Sequence, residues 1–234
     1  MNRRQFMAAS LALLASITVA PSESIASAFT VNNRLLRHGV TGQDVQLLQS
    51  RLRDMGFLHV NPTGFFGTLT HDAVIAFQRF RGLQVDGIVG NQTLQALRPQ
   101  MVQWSRATLL LPRGTDVLLT EPLSGQSFRA RRTGGVNHAD MEPLTWNETD
   151  RFRRIYGGRW SWERKPMIIT IRGWRLAGSI NGMPHDYNTL NNGFPGHFCI
   201  HFLGSRTHVR DALGSNQEDR QHQAAVRIAA GYGP

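Results

Sequence analysis

The chain of 234 residues contains a single cysteine, Cys199. One thiol excludes an internal disulfide, so cross-links do not hold this fold together. In an oxidising compartment an odd thiol is buried, metal-bound or chemically used. Acidic residues are also few: 16 Asp and Glu stand against 26 Lys and Arg, a formal net charge of +10. Beyond the N-terminus no apolar run approaches the roughly 20 residues needed to cross a bilayer. No H-E-x-x-H occurs, so a standard zinc-peptidase spacing is absent. Apolar residues are not lacking. They make up 41% of the chain, enough for a packed core in each of about two small domains, and large-scale disorder is excluded.

The first segment reads MNRRQFMAASLALLASITVAPSESIASA. Arg3 and Arg4 give a positive start, Met7 to Ala20 an apolar stretch, and Ala26-Ser27-Ala28 a small-x-small cleavage signature. This is the pattern of an export signal over residues 1–28, too short to be an anchor, with the mature chain starting near Phe29. Arg3-Arg4-Gln5-Phe6-Met7 is similar to a twin-arginine signal; an ordinary secretory signal with two adjacent arginines is the other reading. Signal removal takes away Arg3, Arg4 and Glu23, which leaves the chain strongly basic. In the cytoplasm such a balance suggests nucleic acid. Outside the membrane the polyanions are wall polymers and anionic headgroups, so the charge reads as steering toward the wall. The expected location is periplasm or cell wall, with no nucleic-acid partner and no integral membrane segment after cleavage.

Residues 34–98 carry a helical period. Val45, Leu48, Leu52 and Met55 fall on one face, with Thr41 as a possible cap and Gly56 at the C-terminal end. A second helix is predicted over 69–81 with Ala73, Phe77 and Phe80 inward, and a third over 91–98. Gly42, Gly67 and Gly90 each precede a helix, a weak repeat of loop plus helix. The pattern runs Gly42, Asp44, Val45, Leu48, Gln49, then Gly56-Phe57, then Gly64, Phe66, Gly67 and Thr70. It continues with Ala73-Val74, Phe77-Gln78, Gly82-Leu83, Asp86-Gly87-Ile88-Val89-Gly90, Thr93 and Leu97. This stretch resembles the peptidoglycan-binding domain family, a small three-helix module. The resemblance implies binding to wall glycan or stem peptide. Gln49, Gln78 and Asp86 are either ligand contacts or buried polar groups that satisfy loop backbone.

Residues 99–120 lack a sustained period and read as linker or as the first strands of a second domain. From 121 to 234, glycine and aromatic residues punctuate short segments. Strands are predicted over 167–171 and 174–180, a short helix over 145–154, and a last helix over 216–230 with Ser215 and Glu218 as a capping box. His222 reads as a surface residue of that helix, and Trp160 and Trp162 as packing residues. The fold class is therefore α+β: a small helical wall-binding domain followed by a mainly β, catalytic-type domain with peripheral helices.

The thiol lies in Gly196-His197-Phe198-Cys199-Ile200-His201-Phe202. In a strand, residues two apart share a face. Phe198, Ile200 and Phe202 then form an apolar face, and His197, Cys199 and His201 a polar one. Upstream, Gly182-Met183-Pro184-His185 follows a predicted strand, and a polar loop with Asn188, Asn191 and Asn192 connects the two.

This region, roughly residues 166–210, resembles the L,D-transpeptidase catalytic family. The resemblance implies Cys199 as nucleophile and His185 as base, with His197 the histidine two before the cysteine. It departs at Asp186, where the family has glycine; at Gly196, where it has serine; at Phe198, again glycine; and at His201, where arginine is common. On this reading His185 takes the thiol proton, His201 belongs to the same catalytic group, backbone amides around Phe198 and Cys199 hold the oxyanion, and Asn191, Asn192, Gly196 and Phe198 contact substrate. No cofactor is then expected. Two other readings stay open. One is a zinc-dependent peptidoglycan hydrolase drawing ligands from His138, Asp140, His185, His197, Cys199, His201 and His208. In that reading zinc is the cofactor. The other is a wall-binding protein without catalysis, in which His138 and Asp140 only fix the loop after Gly134-Gly135.

Overall fold

The computed structural model describes residues 34–210 and 216–232. The expected export signal and Ser215 lie outside them. Helices α1 (Gln43–Asp54), α2 (Thr68–Arg81) and α3 (Asn91–Leu97) build the first unit. Val45, Leu48, Leu52, Ala73 and Phe77 share its core with Phe66 and Val89, as the apolar spacing requires. Gly56 follows α1 with φ +86°, a left-handed position that suits glycine. Two details differ from expectation. Thr41 stays outside α1, bridging Phe65, and Gly42 is the N-cap. Phe80 is 44% exposed and turns to Trp174 of the second unit, ring centres 5.6 Å apart.

The weak glycine repeat has a polar counterpart. Gln49 accepts from the amides of Thr63 and Gly64 and donates to Phe65 O and Thr70 Oγ1. Gln78 accepts from the amides of Asp86 and Gly87 and donates to Ile88 O and Thr93 Oγ1. Both glutamines are buried. Each helix thus carries one amide that fastens the loop leading into the next helix. Of the two roles open to Gln49 and Gln78, the structure uses the one that satisfies loop backbone.

Residues 99–120 are part of the second unit rather than a free linker. Gln100 bridges Leu176 in parallel, α4 spans Trp104–Leu110, and β1 spans Asp116–Thr120. The second unit is a closed antiparallel barrel in the order β1-β2-β3-β6-β5-β4. Its other strands are β2 (Ser127–Gly134), β3 (Ala139–Pro143), β4 (Lys165–Ile171), β5 (Trp174–Ile180) and β6 (Phe198–His201). Alternate residues fill the barrel: Leu119, Phe128, Met141, Ile169, Leu176 and Ile200 belong to one core. Arg172 and Gly173, at φ +46° and +79°, make the two-residue turn between β4 and β5, matching the handedness that favours such hairpins.

Helix α5 (Trp146–Ile155) is capped by Thr145, whose hydroxyl accepts from the Glu148 amide. Strands β7 (Arg206–Arg210) and β8 (Asn216–Glu218) pair outside the barrel. The last helix, α6 (Arg220–Ala229), therefore starts later than expected. Its cap is Asp219, whose carboxylate accepts from the amides of Gln221 and His222. Val226 and Ala229 pack on Ala177, on the outer face of β5. The two units touch directly. Arg175 donates to Leu97 O at 2.7 Å, and the Arg81 guanidinium lies 4.3 Å from the Trp174 ring centre.

Candidate active site

Strand β6 shows the alternation expected of it. Phe198 and Ile200 point into the barrel and are fully buried in its core, each contributing about 1.5–3 kcal/mol by burial. Cys199 and His201 are on the outer face. Cys199 pairs across the ladder with Asp140 of β3, and His201 with Ser179 of β5. Register alone thus assembles Asp140, Cys199, His201 and Ser179 on one patch of the outer wall.

Loops bring further imidazoles over this patch. His185 Nε2 lies 3.2 Å from Cys199 Sγ, and its Nδ1 donates to Met183 O at 2.8 Å. That second bond fixes the tautomer: with the proton on Nδ1, a neutral imidazole turns the Nε2 lone pair to the thiol. His197 Nδ1 is held the same way by Tyr187 O at 3.2 Å, and His138 Nδ1 by Arg206 O at 2.7 Å. His201 stacks between His138 and His222, with ring centres 4.6 and 3.8 Å away. His222 is 1% exposed and hydrogen-bonds Ser179 Oγ at 2.8 Å, so it is a buried residue under α6 and not a surface one.

Tight glycines shape the loops. A Cβ on Gly196 would stand 2.6 Å from His185 O, inside the reciprocal backbone pairing of His185 and His197. A Cβ on Gly135 would stand 2.0 Å from His138 O. Asp186, where the resembled family has glycine, takes φ +53°, a left-handed conformation that glycine adopts without strain.

Burial pushes the Cys199 thiol up, but contacts from His138, His185, His197 and His201 outweigh it and hold the thiol well below its ordinary value. Burial lowers His185 and His197, and the thiolate beside them more than restores both, leaving each raised. Burial also lowers His138, yet Asp140 and the thiolate bring it up to about 10. His222 is driven down to about 2 by burial and by the neighbouring His201. The directions favour proton transfer from the thiol to His185, which gives a thiolate beside an imidazolium.

The residues anticipated at the site divide. Cys199, His185, His197 and His201 meet, with His138 and Asp140 beside them. His208 is exposed at the edge, its ring 4.8 Å from that of His138. Phe198 is a core residue whose ring cannot reach a ligand outside the barrel, and its backbone runs as strand paired to Met141 rather than as an oxyanion turn. Asn192 is fully buried and bonded to Pro143 O and the Phe194 amide, so it holds the loop. Gly196 leaves room for the His185 backbone rather than for substrate. Asn191 alone of the anticipated substrate contacts is exposed, in a cleft of about 450 Å³ lined by Trp146 and residues 188–195.

Three participants had no sequence signal specific enough to find them. Tyr187 donates to Asp140 Oδ2 at 3.3 Å while its carbonyl orients His197. Trp162, half exposed, lies 5.1 Å from the His185 ring. Glu142, fully buried, accepts from Thr189 and Leu190 and anchors the loop over the patch.

Comparison with known proteins speaks to the first unit. Residues 41–97 match the family described as putative peptidoglycan binding domain. The chain is 48% identical over 56 residues to the N-acetylmuramoyl-L-alanine amidase CwlM of Mycobacterium tuberculosis, covering 24% of this chain and 14% of that protein. It is 36% identical over 97 residues to the spore cortex-lytic enzyme of Bacillus subtilis, covering 41% of this chain and 31% of the relative. Among solved structures, the SleB N-terminal domain is 42% identical and covers 28% of this chain and 90% of that one, with a TM-score of 0.28. The chain thus spans less than a third of the length of these two curated relatives. The first unit is a peptidoglycan-binding domain, and the matched family stops before the barrel.

Proposed function

We propose that this chain is an exported, wall-directed enzyme whose Cys199 carries out acyl transfer on a peptide amide of peptidoglycan, with His185 as its acid and base. The observation that carries the reading is the 3.2 Å contact between His185 Nε2 and Cys199 Sγ, with Nδ1 committed to Met183 O. The thiolate attacks the amide carbonyl and an S–C bond forms. The His185 imidazolium then protonates the departing amine as the C–N bond breaks, leaving a thioester. His185 next takes a proton from the acceptor, which attacks the thioester; the S–C bond breaks and the thiolate is restored beside the imidazolium. Resemblance to L,D-transpeptidases favours an amine as acceptor. The names of the matched relatives, an amidase and a cortex-lytic enzyme, favour water.

His185 is the one partly exposed imidazole among those contacting the thiol, so a substrate carbonyl approaches on that side. A zinc hydrolase at the same place needs an open coordination position for water. His138, Cys199 and His201 are each 4% exposed or less, which argues against that alternative. The first unit supplies the address, and the chain's excess of positive charge supports approach to an anionic wall.

The test is intact-protein mass spectrometry of the mature chain with a carbapenem and with wall-derived peptides. One covalent adduct at Cys199, absent in Cys199→Ala, is expected. An unmodified Cys199 under conditions that acylate a known transpeptidase overturns the reading. Scoring products for new cross-links or for freed amines distinguishes amine from water as acceptor.

A further inference from the structure

The proposed chemistry uses one side of the thiol. The other side holds an unusual set of atoms. His138 Nε2, Asp140 Oδ1 and His201 Nδ1 are all buried without a hydrogen-bond partner among the described residues. Buried polar atoms are nearly always paired, so three orphans together need an explanation. His138 Nε2 and Asp140 Oδ1 face each other at 3.4 Å as an ion pair without hydrogen-bond geometry, and His197 Nε2 lies 3.7 Å from the same oxygen, which leaves His201 Nδ1 as the orphan outside any ion pair among the described residues. The donor atoms of His138, Cys199 and His201 all lie within 4.8 Å of one another. The far nitrogen of His138 donates to the Arg206 carbonyl, the outer-shell arrangement that orients metal-binding histidines.

We propose that His138, Cys199 and His201 form a closed site for a zinc-class divalent metal, and that metal there withdraws the thiolate from His185. Two imidazoles and one thiolate suit a borderline-soft ion bound at about 2.0–2.3 Å, and Asp140, whose carboxylate now groups with His138 and the exposed His208, completes a tetrahedron only by turning toward that ion. Donor separations up to 4.8 Å contract by about 1 Å to reach such an ion. His185 and His197 form a second group with the same sulfur, but neither has an orphaned buried nitrogen. The closed side therefore takes the metal and the His185 side takes substrate. Metal binding needs both the sulfur and His138 Nε2 free of protons, so it releases the His138 proton, and that of any remaining thiol, to solvent. It ties up the sulfur lone pair that acyl transfer needs, so the loaded protein is silent and the metal-free protein active. The silencing half of this inference rests on the proposed function; the binding half does not.

The probe is cobalt(II) titrated into the metal-free mature chain, read by thiolate-to-cobalt charge-transfer absorption, with zinc then displacing it. We expect one equivalent in the wild type and in His185→Gln, none in Cys199→Ser, and affinity lower by on the order of 100-fold in His138→Gln and His201→Gln. Zinc should also slow alkylation of Cys199 by iodoacetamide at least about tenfold, reversed by chelator, as a liganded thiolate is a poor nucleophile. A wild type without the thiolate band overturns the inference, whether or not the variants fold. So does a band that weakens in His185→Gln and survives in His201→Gln. Carbapenem acylation without a cobalt band sustains the enzyme and overturns the metal site. A cobalt band without acylation does the reverse.

Discussion

The two units bury polar side chains in opposite ways. In the first, Gln49 and Gln78 are enclosed and their amide groups are engaged in the same pattern, one loop apart. In the second, His138, Asp140 and His201 are also enclosed, yet each leaves an atom without a hydrogen bond beside Cys199. A buried amide that is fully bonded contributes stability and a fixed loop shape. A buried nitrogen or oxygen left open costs stability, and such sites persist where chemistry uses them. The buried polar groups of the first unit thus serve its fold, whereas those of the second surround Cys199 without completing their hydrogen bonds.

The sharpest way to break this contrast is to substitute on each side and compare stability with activity. His185→Gln keeps a polar side chain at the mouth of the patch but removes the proposed base. Acyl transfer should fall by about 10²–10⁴-fold while thermal unfolding stays within about 2 °C of wild type, as a substitution worth a few tenths of a kcal/mol would leave it. Single-turnover thioester formation and differential scanning calorimetry check the two halves. A large loss of stability with equal loss of activity would make His185 a structural residue.

Gln78→Leu is the mirror experiment. It strands the amides of Asp86 and Gly87 and the carbonyl of Ile88, at a cost of about 3 kcal/mol. The first unit should unfold earlier and wall pull-down should drop. Acylation of Cys199 by a small carbapenem should persist wherever the barrel remains folded. Gln49→Leu should cost a similar amount, because it strands the amides of Thr63 and Gly64. Clearly unequal costs would break the equivalence of the two fastenings.

Gly196→Ala sits between these cases. The added methyl meets the His185 backbone at 2.6 Å, and φ here is +153°. Strain of about 1–3 kcal/mol is expected, applied directly to the His185 backbone. Activity should fall further than Gln78→Leu lowers it, and stability less. Retained activity at full stability would show that the His185–His197 pairing tolerates displacement.

Much of this architecture was legible in the chain. Helical period placed the first unit's core, and period two on Phe198, Cys199, Ile200 and His201 gave both the strand and its two faces. Local patterns carry such information because one residue's face follows from its neighbours'. What could not be read is long-range. Asp140 opposite Cys199 follows from the β3–β6 register, and no local pattern specifies which strands become neighbours. His222 looked like a surface residue because the wall it packs on, at Ser179 and His201, is distant in sequence. Resemblance puts Phe198 beside substrate, whereas its own alternation along β6 places it in the core. Residues 99–120 looked like a linker because β1 is short and is recognisable as a barrel strand only through its partners β2 and β4.

The smallest expected effect concerns electrostatics in the first unit. Arg34 donates to both oxygens of Asp44, at 2.7 and 2.8 Å. Those bonds hold the Asp44 carboxyl below its usual 3.8 despite partial burial, helped by the Val45 amide. A carboxyl depressed in the folded state contributes stability that is fully present above its unfolded value and is lost as pH falls through the folded one. The unfolding temperature of the first unit should therefore drop below about pH 3.8, and Asp44→Asn should lower it at neutral pH while removing that part of the acid dependence. The arginine is half exposed and screened by water and salt, so the shift is small. It bears on the contrast between the units because Asp140 of the second faces the His138 imidazole at 3.4 Å without a hydrogen bond, where Asp44 has two from Arg34. A first unit whose stability is flat through this range would mean that the Arg34 pair adds nothing, and that the glutamine fastenings alone account for its buried polar order.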